Sequence, residues 1–251
     1  MTAKEPFRGR LGIARAGYSA ILKSSLVAVV VAVAIAWLSP WLAVLPFALV
    51  VFVIFFFRDP ERTRTENPMS LLSPADGVVD DIGEVTQCEG IDAGEQRYLR
   101  IGIYLSLFSV HVQRAPAAAN VLASFAVAGA RIPTRRVGAT DGNQRHVTVL
   151  APVAVPSARC MIRQIAGPIA RGIVNVARPG GSVAAGQRIG LIRFGSRVEL
   201  FVSSAIVDAL AVKLGTQVRA GITPLVSLRI ANTPPAADVL PHDSSDPSEN
   251  P

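Results

Sequence analysis

The chain has 251 residues, of which 50% are hydrophobic and 17% charged, and its formal net charge is +7 at pH 7. This composition is too apolar for a disordered chain, and the length allows one large domain with appendages rather than a multidomain assembly. The basic residues are scattered and only 6% of residues are aromatic, so nucleic acid is not indicated as a partner. The two cysteines and three histidines lack the spacing of metal ligands, and we predict no metal site.

The amino-terminal part of the chain predicts a membrane anchor. Residues 1–25 form a basic segment, and residues 26–57 form an apolar run without charge. Pro40 lies in the middle of this run between Trp37 and Trp41, which favours a helical hairpin, with a single kinked span left as the alternative. Basic residues flank both ends of the run. We therefore expect the protein in the cell membrane with the part of the chain after the anchor facing the cytoplasm.

Residues 58–232 predict a mostly β (α+β) domain, because short alternating segments are separated by Gly and Pro. Only residues 167–176 and 205–213 favour short helices. The acidic, Pro- and Ser-rich residues 233–251 predict a disordered tail. The predicted strands are 77–85, 99–107, 120–128, 146–153, 159–165, 189–194, 198–202 and 224–230.

A seven-residue pattern, G-x-x-V-x-A-G, occurs twice, at residues 180–186 and 215–221. Each copy is typical of a glycine-bounded turn that leads into a strand. Paired turns of this kind are similar to those of barrel-sandwich carrier domains, so we expect a barrel-sandwich-like fold. One interpretation is therefore a non-enzymatic, membrane-tethered adaptor.

A second pattern concerns serine chemistry. Gly195 and Ser196 form a Gly-Ser step between two apolar segments, and a reactive serine needs a base and an orienting acid. The candidates upstream are His111 and Asp76. The order Asp, His, Ser would suit a hydrolase, although Ser196 lacks the G-x-S-x-G turn of the α/β-hydrolases.

Five motifs, read together, carry a resemblance to a known family. They occur in order and at plausible spacing between Phe55 and Val226, and they resemble the phosphatidylserine decarboxylase proenzymes, in particular the shorter branch of that family. The motifs are Phe55-Phe-Phe-Arg-Asp-Pro-Glu-Arg62, Ser73-Pro-Ala-Asp-Gly77, His111-Val-Gln-Arg-Ala-Pro116, Gln164-Ile-Ala-Gly167 and Gly190-Leu-Ile-Arg-Phe-Gly-Ser-Arg197.

The resemblance implies a self-processing decarboxylase that converts phosphatidylserine in the membrane into phosphatidylethanolamine. Such enzymes cut themselves at a Gly-Ser bond and turn the serine into a pyruvoyl group, which forms a Schiff base with the substrate. Here the cut falls between Gly195 and Ser196 and gives a β chain, 1–195, and an α chain, 196–251, as a heterodimer, with a higher oligomer left open. The resemblance implies no metal and no pyridoxal phosphate.

The resemblance also implies roles for single residues. His111 would remove a proton from Ser196 during self-cleavage, and Asp76 would orient His111. The longer branch of the family carries a second histidine where this chain has Arg114. Two readings stay open: either His111 serves both self-cleavage and decarboxylation, or Arg114 binds the phosphate or carboxylate of the substrate.

Overall fold

The computed structural model of the chain describes residues 9, 12–37, 40–63, 67–91, 97–134, 141–170, 172–193 and 196–230. Two apolar helices come first, α1 (Tyr18–Ala36) and α2 (Val44–Phe56), and they pack against each other. A turn of 3-10 helix at Pro40–Ala43 separates them, at the proline that lacks the N–H group a continuous helix needs. Within the described part of the chain, one helical stretch, Arg15–Ile35, is long and apolar enough to cross a membrane.

The two ends of this helical hairpin meet on the surface of the β domain. Ile13 pairs with Arg58 in an antiparallel bridge, and the Ala14 N–H donates to the Phe57 carbonyl at 2.9 Å. Phe56 and Phe57 are fully buried at the end of α2. The hairpin is therefore joined to the β domain by a small apolar core of its own. That core includes Val110, Val112 and Leu191 of the β domain.

The rest of the described chain is built from strands, many of them rich in the β-branched residues that suit a pleated sheet. The strands are β1 (Ser70–Leu72), β2 (Gly77–Val85), β3 (Tyr98–Leu105), β4 (Val112–Arg114), β5 (Ala119–Val127), β6 (Arg145–Pro152), β7 (Cys160–Ala166), β8 (Ile173–Asn175), β9 (Ser182–Val183), β10 (Arg188–Ile192), β11 (Ser196–Ser203), β12 (Val207–Leu210), β13 (Gln217–Val218) and β14 (Pro224–Leu228).

The central sheet is antiparallel, with the strand order β13-β2-β3-β11-β7-β6-β5-β9. Smaller sheets, β1-β14-β12 and β4-β10-β8, complete the domain. β11 lies in the middle of the central sheet and every one of its residues is buried. Residues that share one face of the central strands, such as Ile101, Ile103, Val198 and Leu200, form the main hydrophobic core.

The two copies of G-x-x-V-x-A-G form the two edges of this sheet. One copy contains β9 and the other contains β13, which stand at opposite ends of the strand order. The last glycines of the copies, Gly186 and Gly221, both have positive φ, 68° and 69°. A Cβ atom added to Gly221 would lie 3.1 Å from the Gly186 Cα atom, so the edges meet and the sheet curls into a half-barrel.

The mostly β fold with an amino-terminal helical segment is confirmed. The predicted strand 77–85 is β2 itself, and other predicted strands end within one or two residues of those in the structure. Both predicted short helices are wrong. Residues 167–176 contain β8, which pairs with β10, and residues 205–213 contain β12, which pairs with β14. The predicted tail, 233–251, lies outside the described residues.

Candidate active site

Ser196 is the first residue of β11, and its backbone partners are Leu105 of β3 and Ala166 of β7. Alternation along the strand places it on the same face as Val198 and Leu200, toward the main core. The residue is fully buried, and its Oγ atom has no hydrogen-bond partner among the described residues. A buried hydroxyl without a partner costs about 1–3 kcal/mol. Ser203, at the other end of β11, has the same property, and Ser196 differs from it by its place in the Gly-Ser step.

His111 immediately precedes β4 and is also fully buried. Its Nδ1 atom lies 2.9 Å from the Ser109 carbonyl oxygen, which can only accept, so Nδ1 carries the proton. The Nε2 atom therefore holds a lone pair, and within the described part of the chain it has no hydrogen-bond partner. The Phe56 ring lies against the imidazole, with the ring centroids 4.1 Å apart.

Burial lowers the pKa of His111 to about 4. The hydrogen bond to Ser109 and the negative charge of Asp76 act in the opposite direction, and the positive charge of Arg58 adds to the lowering. The imidazole is therefore neutral at pH 7, and its Nε2 atom is ready to accept a proton.

The backbone of His111 is bonded to the strand that precedes Ser196 in sequence. The Ile192 N–H, at the end of β10, donates to the His111 carbonyl at 3.3 Å, and β11 begins at Ser196. Gly195, the other residue of the predicted cleavage bond, lies outside the described residues.

A row of buried amides fixes the backbone of His111. Gln113 donates to the His111 carbonyl at 2.8 Å, Gln164 donates to Gln113 at 2.9 Å, and Asn175 donates to Gln164 at 2.7 Å. Gly190 leaves the space for this row, because a Cβ atom there would lie 2.6 Å from the Gln164 Nε2 atom. Two of the sequence motifs, those containing Gln164 and Gly190, therefore support the position of His111.

Asp76 has other partners than the sequence suggested. Arg62 donates to both of its carboxylate oxygens, at 2.6 and 2.7 Å, and the Ala220 N–H donates at 2.7 Å. The nitrogen of His111 that an orienting acid would hold is bound to Ser109 instead. In this structure Asp76 thus acts on His111 through its charge, and the expectation of a direct orienting hydrogen bond is not supported.

Arg114 is buried and points into the protein. Its guanidinium donates to Asp59 at 3.0 Å, to the Pro60 carbonyl at 3.0 Å and to the Gly186 carbonyl at 3.1 Å. Arg188 donates to the same Asp59 carboxylate at 2.5 Å. These contacts join the segment after α2 to the edge of the half-barrel, and they give no support to Arg114 as a substrate ligand.

A cavity of about 600 Å³ lies near these residues, and neither Ser196 nor His111 is among the residues that line it. Two of its lining residues, Tyr104 and Ser106, flank the backbone partner of Ser196 on β3, and a third, Ser109, is the partner of His111. Arg58, Asp76, Phe108 and Arg219 also line it. The described residues contain no cluster of three or more His, Cys, Asp or Glu side chains that could hold a metal ion.

The buried His111 and the half-buried His146 predict a pH dependence of stability. His111 and His146 titrate near pH 4 in the folded protein because of burial, whereas histidine in an unfolded chain titrates near pH 6.5. Between these values the unfolded chain binds more protons, so acidification from about pH 6.5 to about pH 4 lowers the free energy of unfolding, by up to about 3 kcal/mol per histidine. Their contribution is fully present above pH 6.5.

The variant His146→Gln tests this dependence away from the candidate site, because His146 contacts Ser124 rather than the cavity. Its thermal unfolding midpoint should fall less steeply with acidification than that of the unchanged protein. Because the two proteins share every other titrating group, the difference in slope reports on His146. If the unfolding midpoints of the two proteins fall equally with acidification, the lowered pKa of His146 in the folded protein is contradicted.

Comparison with known proteins identifies the protein family to which the chain belongs. The family model described as phosphatidylserine decarboxylase matches residues 49–225, from the second half of α2 to β14. This range includes Ser196, His111 and the cavity, and it covers more than half of the chain.

Individual relatives agree with this match. A phosphatidylserine decarboxylase proenzyme of Carboxydothermus hydrogenoformans is 38% identical over 183 residues, which are 73% of this chain and 83% of the relative. That of Geobacter metallireducens is 37% identical over 213 residues, 84% of this chain and 94% of the relative. The chain belongs to the phosphatidylserine decarboxylase family, and it is an enzyme of the carboxy-lyase class rather than an adaptor without chemistry.

Several residues near the site were not predicted from sequence. Phe56 was interpreted only as part of the apolar anchor, yet its ring lies on His111. Arg62, one of the basic residues that follow the apolar run, binds Asp76. The sole sequence signal for either was membership of the motif at residues 55–62.

Proposed function

We propose that this enzyme decarboxylates phosphatidylserine to phosphatidylethanolamine with a pyruvoyl group, which it makes by cutting its own chain between Gly195 and Ser196. The observation that carries the proposal is the fully buried Ser196 hydroxyl without a partner, at the start of a central strand of a chain in this family. The relatives are named as proenzymes, which supports processing from a precursor.

The residues present suit such a group, because it is made from Ser196 itself and needs no separate binding site. An unpartnered Oγ atom is not held away from the neighbouring Gly195 carbonyl by a competing hydrogen bond. When formed, a pyruvoyl group supplies an acceptor for the electrons released as carbon dioxide leaves the substrate.

His111 is the proposed base of self-cleavage. The His111 Nε2 atom accepts the hydroxyl proton as the Ser196 Oγ atom bonds to the Gly195 carbonyl carbon. As the peptide C–N bond breaks, the same proton passes from His111 to the leaving nitrogen of residue 196, and the imidazole is neutral again. Elimination of the resulting ester then removes the α-proton of residue 196 and releases the Gly195 carboxylate. Hydrolysis of the remaining unsaturated amine liberates ammonia and leaves the ketone. The neutral imidazole, with its Nδ1 proton on the Ser109 carbonyl, is in the protonation state that both proton removals require.

The fold supports a stable complex of the two fragments, 1–195 and 196–251. After the cut, β11 remains hydrogen-bonded between β3 and β7, which belong to the other fragment. The fully buried Arg197, next to the new end, donates to both carboxylate oxygens of Asp80 at 2.6 and 2.7 Å. These contacts would hold the new terminus at the cavity.

The helical hairpin supports a membrane-bound substrate. Phe108 lines the cavity, its side chain is 70% exposed, and its ring contacts Phe52 of α2 at a centroid distance of 6.3 Å. The cavity therefore lies close to the apolar helices, where a lipid headgroup can reach it without leaving the bilayer. With basic residues flanking the hairpin, we place the domain on the cytoplasmic side of the cell membrane.

Intact mass spectrometry of the purified protein tests the proposal. We expect two fragments whose masses correspond to residues 1–195 and 196–251, the smaller without an amino group at its start and shifted in mass by borohydride reduction. A hydrolase with an Asp-His-Ser triad would instead give one intact chain whose Ser196 reacts with a fluorophosphonate. One chain with an unmodified Ser196 would refute the proposed chemistry.

A further inference from the structure

We propose that Arg58 and Arg219 bind the phosphodiester group of the lipid in the cavity beside His111. The proposal rests on the proposed function, since it names how that cavity recognises its substrate. It assigns the cationic role to these two residues rather than to Arg114, which is buried and donates to Asp59, Pro60 and Gly186.

The charge balance of the cavity supports this assignment. Two carboxylates line it, and each already has a cationic partner: Asp76 is bound by Arg62, and Asp80 is bound by Arg197. The cations that line the cavity, Arg58 and Arg219, have no carboxylate partner among the residues that the structure describes. The cavity thus keeps a positive charge that an anionic group can neutralise.

The position of Arg58 also supports this assignment. Its guanidinium donates to the Phe55 carbonyl at 2.9 Å and to the Phe108 carbonyl at 2.6 Å, and its central carbon lies 3.8 Å from the centre of the Phe55 ring. These contacts join the end of α2 to the loop after β3. A guanidinium has five N–H donors, so further ones can bind phosphate oxygens.

The site thus lies where the apolar helices end and the polar cavity begins. A phosphodiester links the apolar and polar parts of a phospholipid in the same order. Burial lowers the pKa of Arg58 more than the nearby Asp76 raises it, which agrees with a cation that lacks a full counter-charge.

Calorimetric binding of short-chain lipids to the purified protein tests the assignment. We expect Arg58→Gln and Arg219→Gln each to weaken the Kd by about tenfold, for short-chain phosphatidylserine and phosphatidylethanolamine alike, because both contain the phosphodiester. In turnover the KM should rise by a similar factor, with kcat within a few-fold and self-cleavage complete. Arg97→Gln, which removes an exposed arginine paired with Glu84, should change none of these values.

Several outcomes would overturn the assignment. An unchanged Kd in both variants would remove the proposed contact, and a loss confined to phosphatidylserine would move it to the carboxylate. Inorganic phosphate that binds as tightly as the lipids would show a free-phosphate site instead. Arg219 is exposed, so Arg219→Gln keeps the test open if Arg58→Gln fails to fold. If the protein without substitutions is not cut, the proposed function is refuted. An equal weakening of the Kd for both lipids in the arginine variants would still support the phosphodiester site.

Discussion

Ser196→Ala is expected to remain a single uncut chain of 251 residues with no decarboxylase activity. The substitution removes the Oγ atom that we propose attacks the Gly195 carbonyl, and alanine cannot be converted into a ketone by elimination. Stability should not fall, because the lost hydroxyl has no hydrogen-bond partner among the described residues. Gel electrophoresis and intact mass show the cut, and release of carbon dioxide from phosphatidylserine shows the activity.

Ser203→Ala is the matched control for this variant. Ser203 lies at the other end of β11, is buried, and also has an Oγ atom without a partner in the described part of the chain. We expect that variant to be cut and active, with unfolding close to that of the unchanged protein. Two fragments from Ser196→Ala, or an uncut Ser203→Ala, would show that the Ser196 hydroxyl is not the specific requirement.

The strands could be predicted because their signal is local. In β2 and β6, apolar and β-branched residues recur between glycine and proline breaks, and that pattern lies within the segment itself. The two predicted helices failed for the opposite reason. Residues 173–175 and 207–210 become strands because β10 and β14 offer backbone partners that are distant in sequence. Long-range pairing overrides a weak local preference.

In the candidate site, too, some features could be predicted from sequence and others could not. Ser196 and His111 were recognised from motifs, and the structure makes each a buried group with an unpartnered polar atom. The partners of the charged residues were beyond sequence reasoning. Asp76 binds Arg62 rather than His111, and Arg114 binds Asp59, which is 55 positions away. Such choices depend on which strand edges meet, and no short motif encodes them.

The hairpin illustrates how an apolar pattern can conceal a second role. Residues 26–57 predict an anchor by hydropathy alone, since nothing in a run of phenylalanines distinguishes a lipid contact from a contact with a catalytic domain. In the structure Val53 and Phe56 of the last turn of α2 are buried against the β domain, and the Phe56 ring packs on His111. The predicted anchor and the candidate site therefore share residues, and the burial that lowers the His111 pKa comes partly from α2.

His111→Asn is expected to slow self-cleavage by about 10²- to 10⁴-fold, so that the purified protein is mostly uncut. Asparagine can place its amide nitrogen where Nδ1 donates to the Ser109 carbonyl, so the local backbone contact is kept. It has no basic atom at the position of Nε2. The fraction of uncut chain, followed by intact mass after synthesis, measures the rate. His146→Gln, which removes a half-buried histidine whose pKa is lowered to a similar value, should be cut normally.

The same variant separates the two proton removals assigned to His111. If the imidazole accepts only the Ser196 hydroxyl proton, His111→Asn stops before any bond changes, and neutral hydroxylamine leaves the chain intact. If it accepts only the α-proton, the ester between Gly195 and Ser196 accumulates, and hydroxylamine splits the chain there. Rapid and complete self-cleavage of His111→Asn would show that His111 accepts neither proton. The lowered pKa of its imidazole would then have no role in self-cleavage.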